Sequence, residues 1–164
     1  MALERVQKAL FAVAAVAVIA VLVLQMGLVT PPWTVDAGTV RVVDGETGEE
    51  LATVEVEVAD TPKERYTGLS DHESLEAGEG MLFVHDDEGE RTYVMREMEF
   101  DIDIVFVDAD GEITSIEHAR APGPGEDGEE LEYAGTAKWV LEVPRGYANE
   151  TGMAAGDRIE IDYE

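Results

Sequence analysis

Residues 101–108 have the sequence Asp-Ile-Asp-Ile-Val-Phe-Val-Asp, the clearest strand pattern in the chain. Successive side chains of a strand point to opposite faces, so the isoleucines and the phenylalanine share one face while Val105 and Val107 share the other. A strand that is apolar on both faces is normally covered on both faces. We therefore predict that this segment is an interior strand of a sheet.

Shorter strand patterns flank this segment on both sides, separated by turn-forming residues. We predict strands at residues 39–43, 53–58, 81–85, 91–95, 112–119, 139–143 and 158–163, with a hairpin turn at residues 86–90. Thr61-Pro62-Lys63-Glu64 combines a capping box with a proline at the first helical position, which predicts a short helix that ends near Gly68. Residues 146–153 can form one or two further helical turns.

These elements show no repeated strand–helix–strand pattern, which argues against a parallel doubly wound sheet. We predict a mainly β fold with a minor α component. Its architecture is a compact antiparallel barrel or sandwich of about seven or eight strands with one or two short helices.

The N-terminal part of the chain is apolar and long enough to cross a membrane. Residues 9–24 are all apolar, and with residues 25–29 the segment reaches 21 residues. A helix of that length spans about 30 Å, the thickness of the hydrocarbon core of a bilayer. Arg5 and Lys8 precede the segment and the next basic residue is Arg41, so the positive-inside rule predicts a cytoplasmic N-terminus.

The predicted organisation has three parts. Residues 1–29 form a signal anchor whose residues 9–29 cross the lipid bilayer once, residues 30–38 form a linker, and residues 39–164 form an external domain. The predicted location is therefore the cell membrane, with the domain outside the cytoplasm. The alternative is a protein secreted after signal cleavage, although no Ala-x-Ala pattern follows the apolar run.

The charge balance restricts the partners that the chain can bind. The 164 residues include 37 acidic and 11 basic side chains, for a formal net charge of −26. Nucleic-acid binding requires clustered basic residues, whereas these are scattered among acids, so we exclude nucleic acid as a partner. So many acids on a folded domain suit a high-salt habitat, where screening weakens their mutual repulsion. The composition therefore predicts a halophilic protein with an acidic surface.

Metal and cofactor signals are weak. Cysteine is absent, which excludes disulfides, thiol nucleophiles and thiolate metal ligands. Phosphate-loop and dinucleotide fingerprints are also absent, so no cofactor is predicted. One metal hypothesis remains, because thioethers in an exported domain can bind cuprous copper. Its ligands would be Met81, His85, Met95 and Met98. The alternative is that these methionines fill gaps in a core.

Two short motifs have ordinary explanations. Asp108-Ala-Asp110-Gly-Glu112 resembles a fragment of a calcium loop, but it lacks the twelve-residue length and the terminal glutamate, so we predict a hairpin turn. Asn149-Glu150-Thr151 is a glycosylation sequon, which makes Asn149 a modification candidate in an external domain, with a chance match as the alternative.

An ordered set of short motifs runs from the middle of the chain to its end. They are Arg65-Tyr-Thr-Gly68-Leu69, Gly80-Met81-Leu82-Phe83-Val84, Met95-Arg96, Asp103-Ile-Val-Phe-Val-Asp108, Leu141-Glu142-Val143-Pro144-Arg145-Gly146 and Gly156-Asp157. Their order and spacing resemble domain-of-unknown-function family 192, also called uncharacterised protein family 0127, over roughly residues 50–163. The resemblance implies a small, mainly β fold that is often exported and has no established activity.

The central motif of the family is altered in this chain. The usual pattern is Trp-Met-Lys-Asn-Thr followed by Ile-Pro-Leu-Asp, whereas residues 94–98 are Val-Met-Arg-Glu-Met and residues 100–103 are Phe-Asp-Ile-Asp. Met95, the cation at Arg96 and the acid at Asp103 are retained. A site that used the amide and hydroxyl of the usual motif would be lost here.

Two acids fall on apolar strand faces. Asp103 shares its face with two valines, and Glu142 shares its face with Val140. A buried carboxylate needs a partner, which Arg65 or Arg96 could supply. One hypothesis is a structural ion pair; the other is a small polar pocket that holds a ligand.

We predict an uncharacterised, membrane-anchored extracytoplasmic domain that binds a small molecule or an envelope protein and does not catalyse a reaction. One alternative is a hydrolase-type enzyme that uses Asp103 and Glu142 as acid and base. The other is a protein that binds copper or another metal. No residue is assigned a catalytic role. The ligand-binding candidates are Arg65, Met81, Met95, Arg96, Asp103 and Glu142.

Overall fold

The computed structural model describes residues 36–163, which form a seven-stranded sheet with short helical segments. The strands are β1 (Asp36–Val43), β2 (Glu50–Ala59), β3 (Glu79–Val94), β4 (Ile102–Val107), β5 (Ile113–Ala119), β6 (Glu132–Pro144) and β7 (Arg158–Tyr163). The helices are α1 (Pro62–Thr67) and α2 (Tyr147–Thr151), and there are 3-10 turns at Gly68–Asp71 and Gly128–Glu130. The mainly β prediction is confirmed at this level.

The predicted membrane segment at residues 9–29 lies outside the described residues. Across residues 36–163, no helix is both long enough and apolar enough to cross a bilayer. β1 begins at Asp36, so the first strand includes the last residues of the predicted linker.

The strand order is β5-β4-β6-β3-β2-β1-β7, and the two edge strands come together. Glu112, just before β5, forms an isolated antiparallel bridge with Arg158 at the start of β7. Ile113 N donates to Asp157 O at 2.8 Å, and Ile159 N donates to Gly111 O at 2.8 Å. The sheet therefore curls into a barrel that closes at this point.

β4 lies between β5 and β6, and all six of its residues are buried. Val105 and Val107 face a cluster that draws on every strand of the barrel, together with Ala148 of α2. Ile102, Ile104 and Phe106 face a second cluster on the opposite side of the sheet. The prediction of an interior strand that is apolar on both faces is confirmed.

The second cluster is covered by a bend in the long ribbon of β3 and β6. Phe83 and Tyr93 both belong to β3, yet their ring centroids are only 5.0 Å apart. An extended strand would separate residues ten positions apart by about 33 Å, so β3 folds back on itself. Tyr93 also meets Phe106 edge-on at 6.0 Å. At Gly135 of β6, a Cβ would lie 2.4 Å from Cγ of Phe106, so only glycine allows this close approach.

Two sequence-based predictions about strands need correction. Residues 86–90 are not a hairpin turn between two strands, because residues on both sides of them pair antiparallel with β6 and they form an irregularity within β3. In addition, the sheet is not wholly antiparallel, since β2 and β3 are parallel. Parallel neighbours require a crossover connection, and α1 with its following 3-10 turn provides it.

The predicted start of α1 is confirmed in detail. Thr61 Oγ1 accepts from Glu64 N at 3.2 Å, and Glu64 Oε2 accepts from Thr61 N at 3.0 Å. These two bonds form the capping box, and Gly68 ends the helix with positive φ. The box positions Arg65 in the last turn of α1, beside the bend of β3.

Candidate functional site

A cavity of about 400 Å³ lies between α1, the bend of β3 and the outer face of the sheet. Small-molecule sites typically have volumes of about 300–1,000 Å³. Its floor is apolar and includes Leu69, Phe83, Met98 and Ile102. Its polar lining includes Arg65, His85, Arg91, Tyr93, Arg96 and Glu142.

Glu142 is the most unusual residue of the cavity. It is 5% exposed, and no hydrogen bond or ion pair to its carboxylate is found within residues 36–163. Burial raises the pKa of its carboxyl to about 8, because the low-dielectric surroundings disfavour the charged form. At neutral pH the side chain is therefore mostly protonated and can donate a hydrogen bond into the cavity.

Arg65 extends from α1 to the bend of β3. Its Nη1 donates to Val84 O at 2.8 Å and also to Asp60 O. Within residues 36–163 it forms no ion pair with an acid. The guanidinium is thus held in place by backbone carbonyls, and its charge is not neutralised by a carboxylate.

Two further arginines line the cavity and do have acidic partners. Arg91 Nη2 lies 3.1 Å from Asp87 Oδ1, and Arg96 Nε lies 2.5 Å from Glu129 Oε1. Arg96 also stacks its guanidinium 4.0 Å from the ring centroid of Tyr66. These contacts hold both side chains at the rim.

His85 and Tyr93 face each other across the bend, with Nε2 3.0 Å from Oη. Burial, followed by the charges of Arg91 and Arg65, lowers the pKa of His85 to about 4. Burial, followed by the charge of Glu142, raises the pKa of the Tyr93 hydroxyl. Both groups are therefore uncharged at neutral pH and act as hydrogen-bonding groups.

Asp103 belongs to a different cluster at the other face of the sheet. It is fully buried, and its Oδ2 accepts from the backbone N–H groups of Gly146 at 2.9 Å and Ala148 at 3.1 Å. Its Oδ1 lies 2.7 Å from His118 Nδ1 and 3.6 Å from Arg145 Nε. The hypothesis that Arg65 or Arg96 pairs with Asp103 is wrong, because both arginines lie on the cavity side of the sheet.

The paired-carboxylate enzyme hypothesis also fails on strand register. Glu142 is directly opposite Ile104, whereas Asp103 is opposite Val143. Directly opposed residues share a face and successive residues alternate. Asp103 and Glu142 therefore point to opposite faces and cannot act on one substrate in a shared cleft.

The methionines of the copper hypothesis are core residues. Met81 and Met95 are buried in the second cluster, the one that contains Ile104 and Phe106. Met98 belongs to the same cluster, is 7% exposed and also lines the cavity. Contacts with aromatic and aliphatic neighbours suit the flexible thioether. Within residues 36–163, no group of three His, Asp or Glu side chains is placed to hold a metal ion.

Two other candidates lie away from the cavity. Asp108 Oδ1 accepts from the N–H groups of Asp110 and Glu112, both at 2.9 Å, so this motif is a carboxylate-capped hairpin turn. Asn149 is exposed on α2, where a glycan has room, and nothing in the structure tests its modification.

Glu97 stands where the usual family motif has asparagine, and its backbone conformation is unusual. It is the one non-glycine residue of the described segment with positive φ, at 53°. Asparagine tolerates this left-handed conformation better than glutamate does. The backbone at this position therefore suits the asparagine of the usual motif better than the glutamate of this chain.

Replacing Glu97 by asparagine is expected to raise the free energy of unfolding by about 0.5–1 kcal/mol, because the left-handed backbone is less strained. Urea unfolding measures the change. Glu99→Asn is the matched control, since it removes the same charge from an exposed residue whose φ is not positive. An equal gain in both variants would show that reduced charge repulsion, and not backbone strain, is responsible.

The structure therefore brings together only part of the predicted ligand set. Arg65, Arg96 and Glu142 line one cavity, whereas Met81 and Met95 belong to the second apolar cluster and do not line it. Asp103 lies on the other face of the sheet. The sequence reasoning missed Arg91 and Tyr93, and it considered His85 only as a metal ligand. The sequence does place Tyr93 and Arg91 on the same face of a strand, because they are two residues apart. It gives no local pattern for the bend of β3 that brings both side chains into the cavity.

The comparisons with solved structures agree with this fold. A protein from Sinorhizobium meliloti 1021, described as a candidate transcription regulator, superposes with a TM-score of 0.70 at 24% identity, over 79% of this chain and 97% of that chain. A protein of unknown function from Novosphingobium aromaticivorans DSM 12444 gives a TM-score of 0.68 at 28% identity, over 80% and 90% of the two chains. No curated protein matches the chain significantly.

The family comparison identifies the chain more directly. The model of DUF192, described as an uncharacterized ACR, matches residues 43–161. That range includes the last residue of β1, all of β2 to β6, the first four residues of β7 and all residues of the cavity. The chain belongs to the DUF192 family.

Proposed function

We propose that this chain is a membrane-anchored, extracytoplasmic module that binds a small organic molecule in the cavity beside α1 and does not transform it. The observation that carries the proposal is the buried carboxyl of Glu142, which has no partner within residues 36–163 and lines a cavity of about 400 Å³. A carboxyl that reaches a cavity without a protein partner is free to hydrogen-bond a ligand there, and titratable groups with strongly shifted pKa values in clefts are typical of functional sites.

A binding role suits the surrounding groups better than a catalytic one. His85 and Tyr93 hydrogen-bond to each other, and the arginines are held by carbonyls or acids. The Tyr93 hydroxyl lies beside the His85 base, but burial raises the pKa of Tyr93, which makes its hydroxyl a poor nucleophile. The arrangement supplies positive charge, a proton donor and an apolar floor, which are the components of a recognition site.

The location is proposed from the sequence. Residues 9–29 are long enough and apolar enough to anchor the chain, and the acidic domain suits an external, salt-rich solvent. The intact mass of the chain recovered from membranes tests this part: loss of residues 1–29, or recovery in the soluble fraction, would contradict an uncleaved anchor.

The binding proposal predicts where fragments will bind. The full chain, in a mild detergent and molar potassium chloride, is titrated with carboxylates, amides, alcohols and amines of similar size while methyl NMR signals are recorded. Ligands are expected to shift the methyl signals of Leu69 and Met98, which line the cavity. The methyl signal of Met153, which lies in the cluster on the other face of the sheet with Val105 and Val107, should not change. If none of the four classes shifts Leu69 or Met98, the cavity is not a binding site.

A further inference from the structure

Basic side chains are concentrated at the cavity, and one of them has no acidic partner within the described residues. Residues 36–163 contain nine basic side chains, and three of them, Arg65, Arg91 and Arg96, line this one cavity. The acids in the lining are Glu90 and the buried Glu142. Arg91 and Arg96 are paired with Asp87 and Glu129, whereas Arg65 has no acidic partner within residues 36–163. On a chain whose net charge is −26, an arginine left without an acid at a cavity indicates an anionic ligand.

Arg65 has unused donors for that anion. Its Nη1 is occupied by the carbonyls of Val84 and Asp60, whereas Nε and Nη2 have no acceptor within residues 36–163. The planar guanidinium fork matches the two oxygens of a carboxylate. Because two backbone carbonyls already hold Arg65, little side-chain entropy is lost when it binds.

The rest of the cavity favours an organic body over a bare ion. Leu69, Phe83 and Met98 form an apolar floor that an inorganic anion would leave dry and unfilled. Glu142, on the same wall, needs an acceptor for its proton at neutral pH. A molecule with a carboxylate for Arg65, an apolar middle for Leu69, Phe83 and Met98, and a second hydrogen-bond acceptor for Glu142 would match the whole cavity.

We propose that the cavity binds a small organic monocarboxylate, whose negative charge lies among Arg65, Arg91 and Arg96 and whose other polar atoms accept a hydrogen bond from Glu142. This inference rests on the proposed binding function and adds the chemical class of the ligand. It also predicts pH dependence, because an ionised Glu142 repels an anion and no longer donates.

Glu142 is the group in the cavity whose charge changes near neutral pH. The charged and titratable groups that line the cavity with it are, from β3, His85, Glu90, Arg91 and Tyr93; from α1, Arg65 and Tyr66; and from the segment after β3, Arg96. Its direct neighbours in β4 and β3, Ile104 and Met81, are apolar. His85, with a pKa of about 4, and Tyr93, with its raised pKa, both stay neutral between pH 6 and pH 9.

The test uses three carboxylates, each paired with its primary amide: hexanoate, benzoate and phenylpyruvate. Each is titrated into the full chain at pH 6 and pH 9, with the Leu69 and Met98 methyl signals as the readout. At least one carboxylate is expected to bind tenfold or more tightly than its amide at pH 6. Its affinity should fall about tenfold or more by pH 9, since a site that requires protonated Glu142 loses one factor of ten per pH unit above the pKa.

Three variants separate the contributions. Arg65→Gln is expected to weaken carboxylate binding at least tenfold, whereas Arg120→Gln, which removes an exposed arginine outside the cavity, should leave it unchanged. Glu142→Gln retains a donor and should bind at pH 6 but lose the pH dependence. If Arg65→Gln does not fold, Arg65→Lys replaces it in the experiment, because lysine keeps the charge but lacks the planar guanidinium.

The possible failures are distinguishable. If the amides or amines bind at the cavity as well as the carboxylates do, the ligand class is wrong and the binding function stands. If inorganic phosphate shifts Leu69 and Met98 as strongly as the carboxylates, the site selects an oxyanion and not an organic acid. If no compound shifts either methyl, both proposals fail together.

Discussion

Replacing Asp103 by alanine is expected to lower the free energy of unfolding by about 3–5 kcal/mol, the range for breaking a buried, hydrogen-bonded charge cluster. The carboxylate accepts from Gly146 N, Ala148 N and His118 Nδ1 while it is completely buried. Its removal leaves two backbone N–H groups without a partner, and each such group costs about 1–3 kcal/mol. Urea unfolding in molar potassium chloride measures the loss.

Asp162→Ala is the control for this experiment. It makes the same substitution and charge change at an exposed position of β7, where an effect within about 0.5 kcal/mol is expected. Hydrogen exchange provides a second readout, because the Gly146 and Ala148 amides should exchange faster in Asp103→Ala than in the parent chain. A loss below about 1 kcal/mol with unchanged exchange at both amides would contradict the structural role of Asp103.

The second large effect is a pH-dependent stabilisation by Glu142→Gln. The pKa of Glu142 is about 8 in the folded chain and 4.5 for an ordinary glutamate. Between those values the folded chain holds a proton that the unfolded chain releases. The parent chain is therefore destabilised as the pH rises, and the favourable contribution of the protonated form is lost as the pH passes through about 8.

Glutamine cannot ionise, so the variant escapes this loss. Relative to the parent chain, Glu142→Gln is expected to gain about 3–4 kcal/mol between pH 5 and pH 9, at about 1.4 kcal/mol for each unit of pKa shift. Glu132→Gln, at an exposed position of the same strand, should show no comparable gain. A difference between parent and Glu142→Gln that stays constant with pH would mean that Glu142 titrates near its ordinary pKa.

These two acids show why sequence and structure contributed differently. The strand alternation correctly placed Asp103 and Glu142 on apolar faces and indicated that both are buried. Their partners could not be predicted, because Gly146 is 43 residues from Asp103 and His118 is 15 residues away. The strand register places the two carboxylates on opposite faces of the sheet, so the hypothesis of an enzyme that uses them as acid and base is wrong.

The bend of β3 illustrates the same limit. Residues 86–90 have the composition of a turn, and a turn-like irregularity is present there. Whether such a segment joins two paired strands or interrupts one depends on which strand lies alongside. Here β6 pairs with both halves, so Tyr93 returns to Phe83 and the cavity forms between them and α1.

The sequence by itself determined the features that depend on neighbouring residues: the apolar faces of β4, the capping box of α1, the strand content and the excess of acids. It also carried the ordered motifs of the family. Only the tertiary structure decided the barrel closure, the parallel β2–β3 pair, the burial of Glu142 without a partner and the three arginines around it. The physical reason is that these features depend on contacts between distant segments, whose geometry is set by packing of the whole domain.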